Sequence, residues 1–180
     1  MKKMIRSLAL CLSILLVCVE WAVATDPETR VSQYGHSVWR VQDGVLNAAP
    51  TVIAQSKDGY IWIGTETGLL RFDGMRFVPF NPPGWDRITA PEIVSLLAAS
   101  DGTLWISTPT ELASWNQGKL TIVPLLPKMG QVSALVEDHQ GRIWATFIQT
   151  SLHKPLCEIS REGARCFGAN DGLLPRGAEP

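Results

Sequence analysis

From about residue 50 onward the apolar residues fall in short runs separated by clusters of Gly, Asp, Asn and Ser. No run shows the 3.6-residue periodicity of an amphipathic helix. "TVIAQ" (51–55) is a β-branched run that stops at Ser56-Lys57-Asp58-Gly59. "YIWIGT" (60–65) follows, then "GLLRF" (68–72), and Asp73-Gly74 turns the chain into "MRFVPF" (75–80). Turn residues between β-branched and aromatic runs predict strands, here four in roughly 40 residues, with Asp-Gly as the hairpin signal. "YIWIGT" fails to alternate polar with apolar. Ile61 and Ile63 point to one face, Tyr60 and Trp62 to the other, and both faces call for burial. A strand of that kind needs a neighbouring sheet on each side.

The pattern recurs. Gly59, Gly102 and Gly141 are spaced by roughly 40 residues, each followed three positions later by a tryptophan: Trp62, Trp105 and Trp144. An aliphatic residue lies six positions before each glycine: Ile53, Leu96 and Leu135. Phe72 and Trp115 stand at one further equivalent place, and Ile159 is their counterpart after an insertion around "QTSLHKP". The third repeat has Gln140 where the others have Asp58 and Asp101. Four-stranded repeats of this length, buried on both faces, predict an all-β fold of β-propeller blades. A β-sandwich would leave one face of each strand wet and requires no fixed period. The expected layout is an N-terminal strand and link over 25–48 and propeller repeats over 49–180. Those repeats divide at 49–90, 91–129 and 130–169, with 170–180 entering a fourth. Three repeats are an incomplete propeller. Its end faces are expected to carry Ile61, Trp62, Ile143 and Trp144, and "HSVWRV" (36–41) reads as a strand that would complete a last blade.

The first 24 residues differ. "MKKMIRS" is basic, "LALCLSILLVCV" (8–19) is an unbroken apolar run, and "AVA" (22–24) puts small residues before Thr25. This is the build of a secretory signal peptide, with cleavage expected between Ala24 and Thr25. The run falls short of the roughly 20 apolar residues that a membrane span needs. Removal of the leader takes Cys11 and Cys18 and leaves Cys157 and Cys166, for which pairing is the default in an oxidising compartment. "LCEISREGARCFG" (156–168) reads as a hairpin turning at Arg161-Glu162, which sets the two cysteines opposite each other. The net charge of −1 and the absence of like-charge runs exclude a nucleic-acid partner as the default.

The residues from Ser32 onward resemble the two-component regulator propeller family. Asp43-Gly44-Val45 fills its linking motif, Asp58-Gly59-Tyr60-Ile61-Trp62-Ile63-Gly64-Thr65 its central strand, and Gly68-Leu69-Leu70-Arg71-Phe72-Asp73-Gly74 the strand and turn that follow. The likeness is strong in the first repeat and weakens through the third. It implies the extracytoplasmic sensor of a bacterial sensor histidine kinase or hybrid kinase. The partners would then be a small-molecule or glycan ligand, the remaining blades, and the transmembrane and kinase parts of a longer, inner-membrane-anchored and homodimeric parent. The chain itself is expected to be periplasmic and to stop on entering a fourth repeat at Asn170-Asp171-Gly172-Leu173.

The candidate side chains are read first as architecture. Trp62, Trp105 and Trp144 could form an aromatic cage, but recurrence at one blade position points to packing between blades. Asp58, Asp73 and Asp101 sit beside Gly59, Gly74 and Gly102 in turns, where Asp bonds its own backbone. His36, His139 and His153 share no ligand spacing, so no metal and no cofactor is expected. No nucleophile elbow, phosphate loop or paired carboxylate is present in the pattern, so no catalytic residue is assigned and the ligand-binding residues stay open. The function expected is signal sensing, without enzyme activity in this chain. The alternatives are an exported scaffold for protein binding and, behind it, a propeller hydrolase or lyase.

Overall fold

The computed structural model describes residues 37–41, 44, 46, 48–125, 129–148 and 154–173. The leader, the Ala24-Thr25 junction, His36 and His153 lie outside the described residues. Strands β1 (Pro50–Gln55), β2 (Ile61–Thr65), β3 (Gly68–Phe72) and β4 (Phe77–Pro79) form one antiparallel sheet in sequence order. The second sheet is β5 (Ser95–Ala98), β6 (Leu104–Ser107), β7 (Leu112–Asn116) and β8 (Lys119–Ile122). The third is β9 (Gln131–Glu137), β10 (Ile143–Ile148), β11 (Leu156–Ser160) and β12 (Gly163–Phe167). Three four-stranded meanders, one per repeat, are propeller blades.

The register repeats as the spacing requires. Ile61 pairs with Phe72, Leu104 with Trp115 and Ile143 with Ile159, so Ile159 does occupy the equivalent place. The turn chemistry departs from the Asp-Gly hairpin expected. Gly59 N–H donates to Ser56 O at 2.9 Å, Gly102 to Ala99 at 3.0 Å and Gly141 to Asp138 at 2.9 Å. Each turn therefore spans four residues, with the glycine in the last position at φ 90°, 84° and 78°. Ser and Asp are favoured at the first position of such a turn and Gly at the last. The residue before the glycine carries no obligation, which is why Gln140 can replace Asp.

Successive blades meet face to face. β5 touches β1 and β2, and β9 touches β5 and β6, so the first strand of each sheet lines the inner side. The first joint buries Trp62, Leu69, Ile93, Leu96, Leu104 and Ile106. The second buries Trp105, Leu112, Val123, Val132, Ile143, Ala145 and Phe147. Trp62 and Trp105 are only 6% and 4% exposed. The expectation for the end faces is corrected accordingly: Trp62 and Ile143 point into joints. Strand alternation allows only one of each neighbouring pair on a given face, so Ile61 and Trp144 are the residues left on the outer ones. The first sheet's outer face is partly covered: Leu46 packs with Ile63, Leu70 and Phe72, and the Trp39 ring stands T-shaped to Phe72 and Phe77, with centroids 5.1 Å and 5.4 Å apart.

Gly64 is tightly enclosed at the first joint, between Val52 of its own sheet and Ile93 of the link to the second. A Cβ there would stand 2.6 Å from Val52 Cγ1 and 2.7 Å from Ile93 Cγ2, inside any real contact distance. At the corresponding place in β6, Ser107 is buried and donates its hydroxyl to Val132 O at 3.1 Å.

Candidate functional site

The β1–β2 turn and its counterparts line up at one end of the blades, and a notch opens there at each joint. The first, about 260 Å³, is bordered by Ser56, Asp58, Trp62, Thr103 and Gln117. The second, about 460 Å³, has the Trp105 indole in its wall and five charged side chains around it: Asp101, Glu137, Glu158, Arg142 and Arg161. Both notches follow from the repeat. Only the second gathers charge, because the third repeat brings arginines into its turns, Arg142 and Arg161, and glutamates into its strands, Glu137 and Glu158.

Its polar groups are tied across the joint. Ser100 N–H donates to Glu137 Oε2 at 2.7 Å, and the Ser100 hydroxyl donates to the other carboxylate oxygen. Arg161 Nη2 donates to Thr103 Oγ1 at 3.0 Å and lies 3.7 Å from Asp101 Oδ2. Asp101 in turn accepts from Thr103 N–H at 2.8 Å and from its hydroxyl at 2.9 Å. Behind the notch, Asp138 accepts the Trp144 indole N–H at 2.8 Å, Arg142 Nε at 2.7 Å, and backbone N–H groups of Gln140 and Arg142 at 2.9 Å. The indole bond first, and then the Arg142 contacts, outweigh desolvation and hold the Asp138 carboxyl well below the usual carboxylate range. The notch thus offers two guanidinium donors and several carboxylate acceptors beside an aromatic wall, a chemistry suited to a hydroxyl-rich or zwitterionic solute.

The turn aspartates act as caps. Asp58 accepts the Ser56 hydroxyl at 2.5 Å, and Asp73 accepts Met75 and Arg76 N–H at 2.8 Å, which with the backbone of Arg76 foremost lowers its pKa. Gly74 completes that turn at φ 98°. Cys157 and Cys166 oppose each other in the β11–β12 register and are bonded, with sulfurs 2.01 Å apart. His139 is exposed in the third turn. Among the described residues no three His, Cys, Asp or Glu side chains gather as metal ligands. The residues that sequence reasoning passed over are Asp138 and Ser56, each the acceptor for a tryptophan six positions on; Ser56 Oγ accepts Trp62 Nε1 at 2.9 Å. Ala99 stands at the same place before Trp105 and offers no acceptor. The signal existed, a polar residue three before the turn glycine, but its chemistry changes from repeat to repeat.

The fold and turns define a module of propeller blades. Residues 44–67 match the model of the two component regulator propeller family. Among solved structures the chain is similar to the extracellular domain assigned to a hybrid two component system of B. thetaiotaomicron. That likeness has 22% identity and a TM-score of 0.52, and covers 67% of this chain and 17% of that one. It is also similar to virginiamycin B lyase from Staphylococcus aureus, at 17% identity and a TM-score of 0.54, covering 68% of this chain and 42% of that one. A streptogramin B lyase gives 20% identity and a TM-score of 0.53, covering 66% and 40%. These likenesses show the fold, and the chain spans less than half the length of each. No curated protein matches the chain.

Proposed function

We propose that this chain is part of an extracytoplasmic sensing propeller, exported through its leader, which binds a solute and passes the occupancy to a membrane-anchored kinase in a longer protein. The regulator-propeller repeat at residues 44–67 carries this reading. The notch between the second and third blades is the place we assign to the ligand, because it joins donors, acceptors and an indole at a joint between two rigid sheets. A solute bridging Arg161 of one blade and Ser100 of the next would bias how the two blades sit, and a bias of that kind can be passed on. A glycan fragment suits this chemistry.

The exported protein should begin at Thr25 by N-terminal sequencing. Differential scanning fluorimetry against a panel of oligosaccharides should then find one that raises the melting temperature. Calorimetric binding of that sugar should fall at least tenfold in Arg161→Ala and in Glu137→Gln. A panel with no effect, or a shift untouched by both substitutions, would sink the assignment. Likeness to the two lyases supports their fold here and no more, so incubation with streptogramin B should leave the antibiotic's chromatographic retention and fragmentation pattern unchanged.

A further inference from the structure

We infer that the first joint carries a second binding site, separate from the charged notch, for a small aromatic carboxylate. The site is a groove of about 310 Å³ on the β3–β4 side of the first sheet, where the chain leaves for the second. Val78 and Pro79 border it from β4, Trp115 from β7, and Phe80 and Pro82 from the link between the sheets. Arg71 supplies the only charge in that lining. The register puts Arg71 on the joint side of its sheet, opposite Trp62 in β2 and Val78 in β4. Its guanidinium carbon lies 4.4 Å from the centre of the Tyr60 ring. Stacking uses the flat face of a guanidinium and leaves its N–H edge, which suits the two oxygens of a carboxylate. Among the described residues no carboxylate pairs with Arg71.

The second joint shows that blade packing does not require this arrangement. Ser114 holds the place of Arg71, opposite Trp105, and is 2% exposed. Val123 holds the place of Phe80, each donating its N–H to the start of the third strand, and Ile159 that of Trp115. All three are buried, and none is charged. At the first joint the same places carry a half-buried cation, a phenyl ring and a half-buried indole. An apolar ring fits against Phe80, Trp115 and the prolines, and a carboxylate attached to it reaches Arg71. One cation matches a monoanionic head. The volume is at the small end of the roughly 300–1,000 Å³ of ligand cavities, which limits the solute to about one ring. Pro79, Pro82 and Pro83 fix the backbone, and Phe80 is held by ring contacts with Trp62, Trp85 and Trp115. Walls set in advance lower the cost of binding.

The test is calorimetric titration of the full exported chain with phenylacetate, beside acetate and the neutral phenylacetamide. Phenylacetate should bind saturably. Phenylacetamide should bind roughly ten- to a hundredfold more weakly, as loss of a hydrogen bond between charged groups requires. Acetate, without the ring, should not saturate. Arg71→Gln should weaken phenylacetate by the same factor as the amide. Val78→Asp lies on an exposed position opposite Arg71 and gives the guanidinium a carboxylate of the protein's own. That variant should stay folded by circular dichroism and lose the binding. Absence of saturable phenylacetate binding overturns the inference. So does equal binding of phenylacetamide, or binding that survives both substitutions. Binding lost in Arg161→Ala and kept in Arg71→Gln overturns it as well, because the solute would then sit in the charged notch.

Discussion

The two joints between blades have the same geometry and different chemistry. In the first, aromatic rings do the packing: Phe80 stands edge-on to Trp62 at 4.8 Å and to Trp115 at 5.2 Å. Its cross-joint polar contacts are Lys57 Nζ on Ser100 O at 2.6 Å and Thr51 Oγ1 on Ile93 O at 2.8 Å. In the second joint, Val123 and Ile159 replace Phe80 and Trp115, and the core is mostly aliphatic. There the lost aromatic contact is offset by the Ser100–Glu137 and Arg161–Thr103 bonds and by a disulfide behind the core. What a blade joint demands is two filled apolar faces in register. The residues that fill them are exchangeable, which explains why the third repeat drifts in sequence while its sheet stays regular.

The comparison can be broken most directly at its tryptophans. Trp62→Ala and Trp105→Ala should each cost about 3–5 kcal/mol in urea denaturation, the range for truncating a large core aromatic. Trp62 should cost more, by roughly 0.5–1.5 kcal/mol, because only it loses an edge-to-face partner. Equal costs would mean the aromatic arrangement adds nothing beyond its buried area. Next comes the disulfide. Replacing both cysteines by alanine should cost about 2–3 kcal/mol for so short a loop. Since Cys157 is fully buried in the second joint, the effect should couple to Trp105→Ala and add independently to Trp62→Ala.

The polar brackets come third. Glu137→Ala should cost about 1 kcal/mol, whereas Lys57→Ala, an exposed contact at the other joint, should stay below about 0.5 kcal/mol. The smallest effect separates the turns themselves. Asp138 is held below its ordinary value when folded. Its contribution is therefore whole at neutral pH and is lost as pH falls beneath the ordinary carboxylate value of about 4 toward the folded one. The melting temperature of Asp138→Asn should run flatter than the parent's below that pH. Ser56→Ala, which removes a hydroxyl from the same place in the first turn, should leave the acid slope alone.

The blades were legible because their signal is doubly redundant. A tryptophan at fixed distance from a turn glycine set the period, and the two-faced apolar strand required neighbours on both sides. The β11–β12 register was legible too, since a two-residue turn at Arg161-Glu162 leaves one pairing for Cys157 and Cys166. The turn type was misread because Asp-Gly is the louder signal, while the first turn position changes from Ser56 to Ala99 to Asp138. Which face each end residue would show was misjudged by grouping neighbours that alternation must separate. The charged notch could not be read at all. Ser100 and Glu137 are 37 residues apart and Thr103 and Arg161 are 58 apart, and only the stacking of one blade on the next brings them together.

Gly64 bears on the curvature of the whole assembly. Blades return to their starting point only if the wedge angles between them sum to a full circle, and each wedge is set by how near two sheets come on the inner side. At the first joint a hydrogen atom on Gly64 faces Ile93, which leads into the second sheet, with Val52 of its own sheet alongside. A methyl group there would pry the inner edges apart while the outer packing stayed, so the wedge would narrow and the arc would flatten. A flatter arc needs more blades to come round. The smallest side chain in the "WIGT" strand therefore helps set how many blades complete a circle.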